Sequence, residues 1–183
     1  MSEELRPEFR PSNEDEIKVI KNFLKKNFGF SIKKLMENSS FYTKAGKVKE
    51  IYLVPKNVSK YIEKISTTAY CAGIPFGSIW GRNFQLEIEG SRLLLPYINK
   101  IIKVKTDQFL YGKSIFVENI VQTFGEFNKG DYVIIVGKNN LHYGIGKILY
   151  SSKELMKLKH NTVVIRGYKD KPFDRGWYLR RGG

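Results

Sequence analysis

From Lys100 onward the chain is cut into short runs of β-branched and aromatic residues, each closed by turn chemistry, and few folds accommodate that texture. The runs are KIIKVK, SIFVENIVQ, DYVIIVG, HYGIGKILYS and NTVVIRGY, separated at GEFNKGD, GKNN and GYKDKP. Strands this short and this regularly interrupted point to a small β-barrel. FLYGK and KELMKL read as short helical turns between them.

The first hundred residues have a different grammar. Residues 1–12 carry two prolines and no apolar period, and are expected to form a flexible or docked arm. A helix should start at Asn13, which can cap it in concert with Glu16. Ile17, Ile20, Phe23 and Leu24 then recur at helical spacing until Gly29 stops it, with Lys18, Lys21, Lys25 and Lys26 on the wet side. SSFYTK and KVKEIYLV, split at Ala45-Gly46, predict a hairpin. Asn57 is a candidate cap for a helix through Ile65, FQLEIEG alternates as a strand, and SRLLLPYI predicts a short helix. The expected class is α+β: an N-terminal α/β domain with a mixed sheet over residues 1–100, then a barrel over residues 101–183. No low-complexity linker separates the two.

Charge narrows the partners. Lys and Arg total 32 against 18 Asp and Glu, a net charge of +14, which favours a polyanion. The surplus is uneven: residues 101–183 hold 15 basic residues against 7 acidic, residues 1–100 hold 17 against 11. Between Lys157 and Arg181 the cations Lys157, Lys159, Arg166, Lys169, Lys171, Arg175, Arg180 and Arg181 face only Asp170 and Asp174, with Phe173, Trp177 and Tyr178 interleaved. Cations neutralise phosphates and an exposed ring gives an unpaired base a platform to stack on, although a packing role is favoured for Trp177. No apolar run approaches a bilayer's thickness and the N-terminus is polar and acidic, so a cytoplasmic location is expected. Cys71 is the only cysteine, and His142 and His160 lie far apart, so neither a disulfide nor a Cys/His zinc site is expected.

Three features of the second half, in order, carry a family likeness: Gly112 opening a helical turn in QFLYGK, the turn Lys129-Gly130-Asp131 before DYVIIV, and Gly144-Ile145-Gly146 within the next strand. Together they resemble a PUA domain, a small RNA-binding barrel. Gly130 suits a tight turn, while Gly144 and Gly146, inside a strand pattern with no helix after them, suit close backbone approach better than a phosphate loop. CAGIPFG, FQLEIEG, LLLPYINK, FLYG and the closing DRGWYLRR extend the likeness from about Ile51 to the end of the chain. The whole is similar to the Nip-seven family of large-subunit ribosome biogenesis factors, in which an α/β domain precedes a PUA domain.

The resemblance implies RNA binding during rRNA processing and large-subunit assembly, with precursor rRNA as partner, no cofactor, and a nucleolar location in a eukaryote. The candidate RNA-binding residues are Tyr111, Lys113, Lys147, Arg166, Lys169, Lys171, Arg175, Arg180 and Arg181, on a single-stranded, U-rich segment. The N-terminal domain would dock ribosome-assembly or RNA-processing proteins, with the Phe76, Ile79 and Trp80 region as candidate surface and core as the safer reading of each. The alternative is an RNA-recognition part of a tRNA- or rRNA-modifying enzyme. The N-terminal half offers no cofactor loop, no clustered histidines and no nucleophile–base pair. Its carboxylates, Glu16 among them, are scattered as surface residues are, and Cys71 in its apolar run suits an inert core thiol, so no enzymatic activity is expected.

Overall fold

The computed structural model describes residues 9–65, 71–167 and 174–177. It divides into two compact units, Met1–Gly90 and Ser91–Gly183.

In the first unit, local chemistry makes the long helix α1 (Glu14–Phe28), which the short helix α2 (Lys33–Met36) follows. The Asn13 side chain accepts a hydrogen bond from the Glu16 N–H and the Glu16 carboxylate accepts one from the Asn13 N–H, each at 2.9 Å. Gly29, at φ 63°, closes the other end in the left-handed conformation that glycine adopts without strain. Five strands form one sheet in sequence order: β1 (Phe9–Pro11), β2 (Ser39–Lys44), β3 (Lys49–Pro55), β4 (Ile74–Trp80) and β5 (Asn83–Leu86). Residues 9–11 of the expected arm are thus a docked edge strand.

The sheet expected to be mixed is antiparallel at every pairing. Each strand lies beside its predecessor. Even the long connection through α3 (Lys56–Ile65) returns the chain to the end of β3 that it left, since Ile74 pairs with Leu53. That helix begins one residue before Asn57, directly after Pro55, so Asn57 lies inside it.

Both faces of β2 and β3 are covered, which is why their apolar residues run on without alternation. Phe41 of β2 and Phe76 of β4 meet edge-on at 5.2 Å across β3, and Phe23 of α1 meets Phe84 at 5.1 Å. On the opposite face Phe9, Tyr42, Tyr52 and Val54 pack with Ile62 of α3. Phe76 and Ile79 are core residues, whereas Trp80 is 43% exposed. Cys71 is exposed rather than buried, lying ahead of β4, which begins only at Ile74.

Glu16 also departs from expectation, being only 3% exposed. Arg10 of β1 grips its carboxylate with two hydrogen bonds at 2.9 and 3.0 Å, Lys49 donates at 2.9 Å and Thr43 at 2.8 Å. Burial alone would raise its pKa, but these donors prevail and hold it at about 2. One carboxylate thereby ties β1, β2, β3 and the start of α1 together.

Helix α4 (Ile88–Leu94) and a turn at Leu95–Tyr97 lead into the second unit. Its main sheet has the order β10 (His142–Lys147), β9 (Tyr132–Val136), β6 (Ile101–Val104), β8 (Ile120–Phe124), with β6 and β9 parallel. The run SIFVENIVQ is broken by a 3-10 turn at Val117–Asn119, so β7 (Ile115–Phe116) pairs instead with β11 (Val163–Ile165). A bridge between Ile148 and Ile165 joins the two sheets into a barrel-like wrap. Ile102, Val104, Phe109, Ile115, Val133, Ile135, Ile148 and Val164 fill it, and the short helix α5 (Ser152–Leu155) adds Leu155.

Both glycine motifs meet their expected demands. Gly130 sits at φ 88° in the turn before β9, where Asp131 accepts from Lys100 Nζ at 2.6 Å and from the Asn128 N–H at 3.0 Å. Although burial acts to raise its pKa, those bonds hold Asp131 below the ordinary carboxylate range. A Cβ on Gly146 would stand 2.6 Å from a methyl of Ile165, so strand β10 approaches β11 where only glycine fits.

Candidate nucleic-acid interface

The 3-10 turn at Gln108–Tyr111 is built to hold one ring out. Phe109 is buried in the barrel core and Leu110 packs against it, so the next residue, Tyr111, points away and is 62% exposed. Gly112 closes this turn rather than opening one: at φ 71° it reverses the chain, its N–H bonding back to the Phe109 carbonyl at 2.9 Å. At the start of the turn, Asp107 accepts a 2.6 Å hydrogen bond from the Tyr143 hydroxyl. That bond, with burial second, raises the Tyr143 pKa. Tyr143 is itself seated against Gly137, where a Cβ would strike its ring.

The segment after the turn lies directly on the end of β11. A Cβ at Gly167 would lie 2.3 Å from the Gly112 carbonyl oxygen and from the Lys113 carbonyl carbon, and the Gly167 N–H donates to Ser114 Oγ at 3.1 Å. Lys113 and Arg166 therefore emerge from touching stretches of backbone, both exposed. Lys147 joins them through the Ile148–Ile165 bridge. Lys147 precedes and Arg166 follows that buried pair on antiparallel segments, so strand alternation turns both outward. The Lys147 ammonium lies 4.9 Å from the centroid of the Tyr132 ring, a cation–π contact worth roughly 0.5–1 kcal/mol at an exposed site.

The structure thus brings together four of the nine candidate residues: Tyr111, Lys113, Arg166 and Lys147. Among the described residues none of the three cations forms an ion pair. Their charge is available to an external anion, and Tyr111 offers a ring face beside them.

Arg175 sits elsewhere. Its backbone N–H donates to the Tyr143 carbonyl at 2.9 Å and its Nε donates to His142 Nδ1 at 3.3 Å, at the opposite end of β10 from Lys147. Because Nδ1 accepts, the imidazole hydrogen belongs on Nε2, which faces Ser91 Oγ at 2.9 Å. Arg175 is thereby tied into the packing of buried His142. The neighbouring Asp174 is also buried, and Trp177 is half-buried. Lys169, Lys171, Arg180 and Arg181 lie outside the described residues.

Sequence reasoning missed Tyr132, Ser114, Gly167 and the Asp107–Tyr143 pair. Tyr132 had a local signal, since a tyrosine opening a strand beside a lysine-bearing one could have been paired by register. Gly167 had none, because its need for no side chain arises from backbone more than fifty positions away.

Among the described residues no group of three or more His, Cys, Asp or Glu side chains is placed to hold a metal ion, and no helix is long and apolar enough to cross a membrane.

Comparison with known proteins places both units in known domain families. Residues 9–88 match the NIP7/UPF0113 pre-PUA domain, and residues 100–183 match the UPF0113 PUA domain. A UPF0113 protein of Archaeoglobus fulgidus is 30% identical over 175 residues, covering 94% of each chain. Another, of Aeropyrum pernix, is 27% identical over 184 residues, covering 97% of this chain and 95% of its own. Among solved structures, one of a PUA domain from Aeropyrum pernix has a TM-score of 0.64 at 17% identity, covering 95% of this chain and 91% of that one. A hypothetical protein from Pyrococcus horikoshii gives 0.60 at 15% identity, covering 93% and 98%.

Proposed function

The chain belongs to the NIP7/UPF0113 family, with a pre-PUA domain followed by a PUA domain, and from that premise we propose that it is an RNA-binding factor for assembly of the large ribosomal subunit. The PUA domain holds a single-stranded, U-rich stretch of precursor rRNA, and the N-terminal unit brings an assembly or processing protein to it. The observation that carries the RNA reading is the grouping of Lys113, Arg166 and Lys147, free of ion pairs with described residues, on adjoining stretches of backbone that also carry the exposed Tyr111.

The mechanism follows from charge and stacking. Lys113, Arg166 and Lys147 contact consecutive phosphates and release condensed counterions, which supplies sequence-independent affinity. Tyr111 stacks on a base, a contact worth about 1–3 kcal/mol and tolerant of base identity. Discrimination is therefore modest, and preference for uridine comes from the ease with which its bases unstack. Lys169, Lys171, Arg180 and Arg181 are further candidates for phosphate contacts by charge. Arg175, bonded to His142 and to the Tyr143 carbonyl, holds the start of β10.

Photocrosslinking in cells, reading both the transcript and the crosslinked peptide, tests this directly. The expected adduct joins large-subunit precursor rRNA to the peptide containing Tyr111. Adducts confined to tRNA, or to peptides of the N-terminal unit, would contradict it.

A further inference from the structure

The N-terminal unit carries a groove that RNA binding by the PUA domain does not use. On one side α1 presents Ile17, Lys21 and Lys25, spaced four apart and so aligned over about 12 Å of helix. The other wall is the segment after Gly29, which contributes Phe30, Ile32 and Met36. The cavity has a volume of about 680 Å³.

Its chemistry is two-toned. The floor is apolar, with Phe30 and Ile32 buried and Met36 37% exposed, a flexible thioether that adapts to an incoming side chain. The rim is cationic: Lys21, Lys25 and Lys33 are exposed and, among the described residues, have no ion pair, while Glu37 is the one carboxylate among the lining residues.

We propose that this groove docks an amphipathic helix of a protein partner, its apolar face on Ile17 and Met36 and acidic residues flanking that face against Lys21, Lys25 and Lys33. The proposal rests on the reading of the N-terminal unit as the partner-binding half. Charge complementarity selects an acidic occupant. A nucleic acid fits less well, because the described lining residues present no exposed aromatic ring for a base to stack on. An extended peptide fits less well too, since among the described residues no strand lines the groove and its backbone groups would go unpaired, whereas a helix satisfies its own.

The test is selection of a random-sequence peptide display library against the full-length protein, followed by affinity measurement on two variants. One carries Lys21→Glu, Lys25→Glu and Lys33→Glu together; the other carries Met36→Glu. All three positions of the first are exposed helix or turn surface, and thermal midpoints check that both variants stay folded. Enriched peptides should have apolar residues at helical spacing flanked by Asp and Glu, and should bind each variant at least about tenfold more weakly. Oligouridine affinity should be unchanged in both. Peptides without acidic bias, peptides that bind the variants as well as the parent, or peptides displaced by oligouridine would overturn the proposal. Should the protein bind such peptides but no RNA, the groove would stand and the PUA reading would fall.

Discussion

Glu16 shows how much one side chain can organise. Its folded pKa of about 2 lies below the unfolded value of 4.5, so the stabilisation is present above pH 4.5 and drains away as pH falls toward 2. Replacing it with Gln leaves Arg10 and Lys49 without their counter-charge. We expect a loss of about 3 kcal/mol at pH 7, with the acid-side slope of stability flattened over that window, as urea unfolding at pH 7 and pH 3 would show. A variant with the parent's slope would mean that the carboxylate is not the hub. Gly167 makes a different demand. A methyl group there meets backbone, which cannot rotate aside, so Gly167→Ala should cost about 1–3 kcal/mol and shift the amide resonances of residues 111–114. A thermal midpoint equal to the parent's would show that the two segments are not in contact.

At the scale of elements, the turn at Gln108–Tyr111 is held at three points: Phe109 in the core, Gly112 closing it, and Asp107 bonded to Tyr143. Tyr143→Phe removes the last while keeping the ring against Gly137. The turn's amides should then exchange faster with solvent and oligouridine affinity should fall severalfold, as expected on losing about 1.5 kcal/mol of a hydrogen bond to a charged group. Lower affinity with unchanged exchange would place the effect elsewhere. Elements of this kind were legible in the sequence wherever their determinants are local. Asn13, Glu16 and Gly29 bracket α1 within sixteen positions, and Gly130-Asp131 announces the turn before β9. Strand direction is not written locally, which is why the N-terminal sheet was expected to be mixed and is antiparallel. Nor is burial of a charge: Glu16 reads as surface until Arg10, Thr43 and Lys49 arrive from three different strands. Arg175 likewise read as one more cation of the tail until His142, thirty-three positions earlier, met its guanidinium.

For the whole molecule, excess charge and family-like motifs single out the second half, and folding sets its described cations in different surroundings. Lys113, Lys147 and Arg166 are gathered at one place by a glycine contact and a single β-bridge, an outcome no linear density of lysines could foretell. The N-terminal unit uses Arg10, buried Glu16 and Lys49 for architecture and keeps Lys21 and Lys25 of α1 exposed at a groove. The central claim is that this chain binds RNA through the four gathered residues of its PUA domain. The most direct test is the salt dependence of oligouridine affinity in the full-length protein, compared with a variant carrying Lys113→Ala, Lys147→Ala and Arg166→Ala. With about four phosphates neutralised, the parent's log affinity should fall with log salt at a slope near −3, and the variant's slope should be shallower by about 2, from roughly −0.7 per phosphate contact, at an unchanged thermal midpoint. Parent and variant giving the same affinity and the same slope would contradict it.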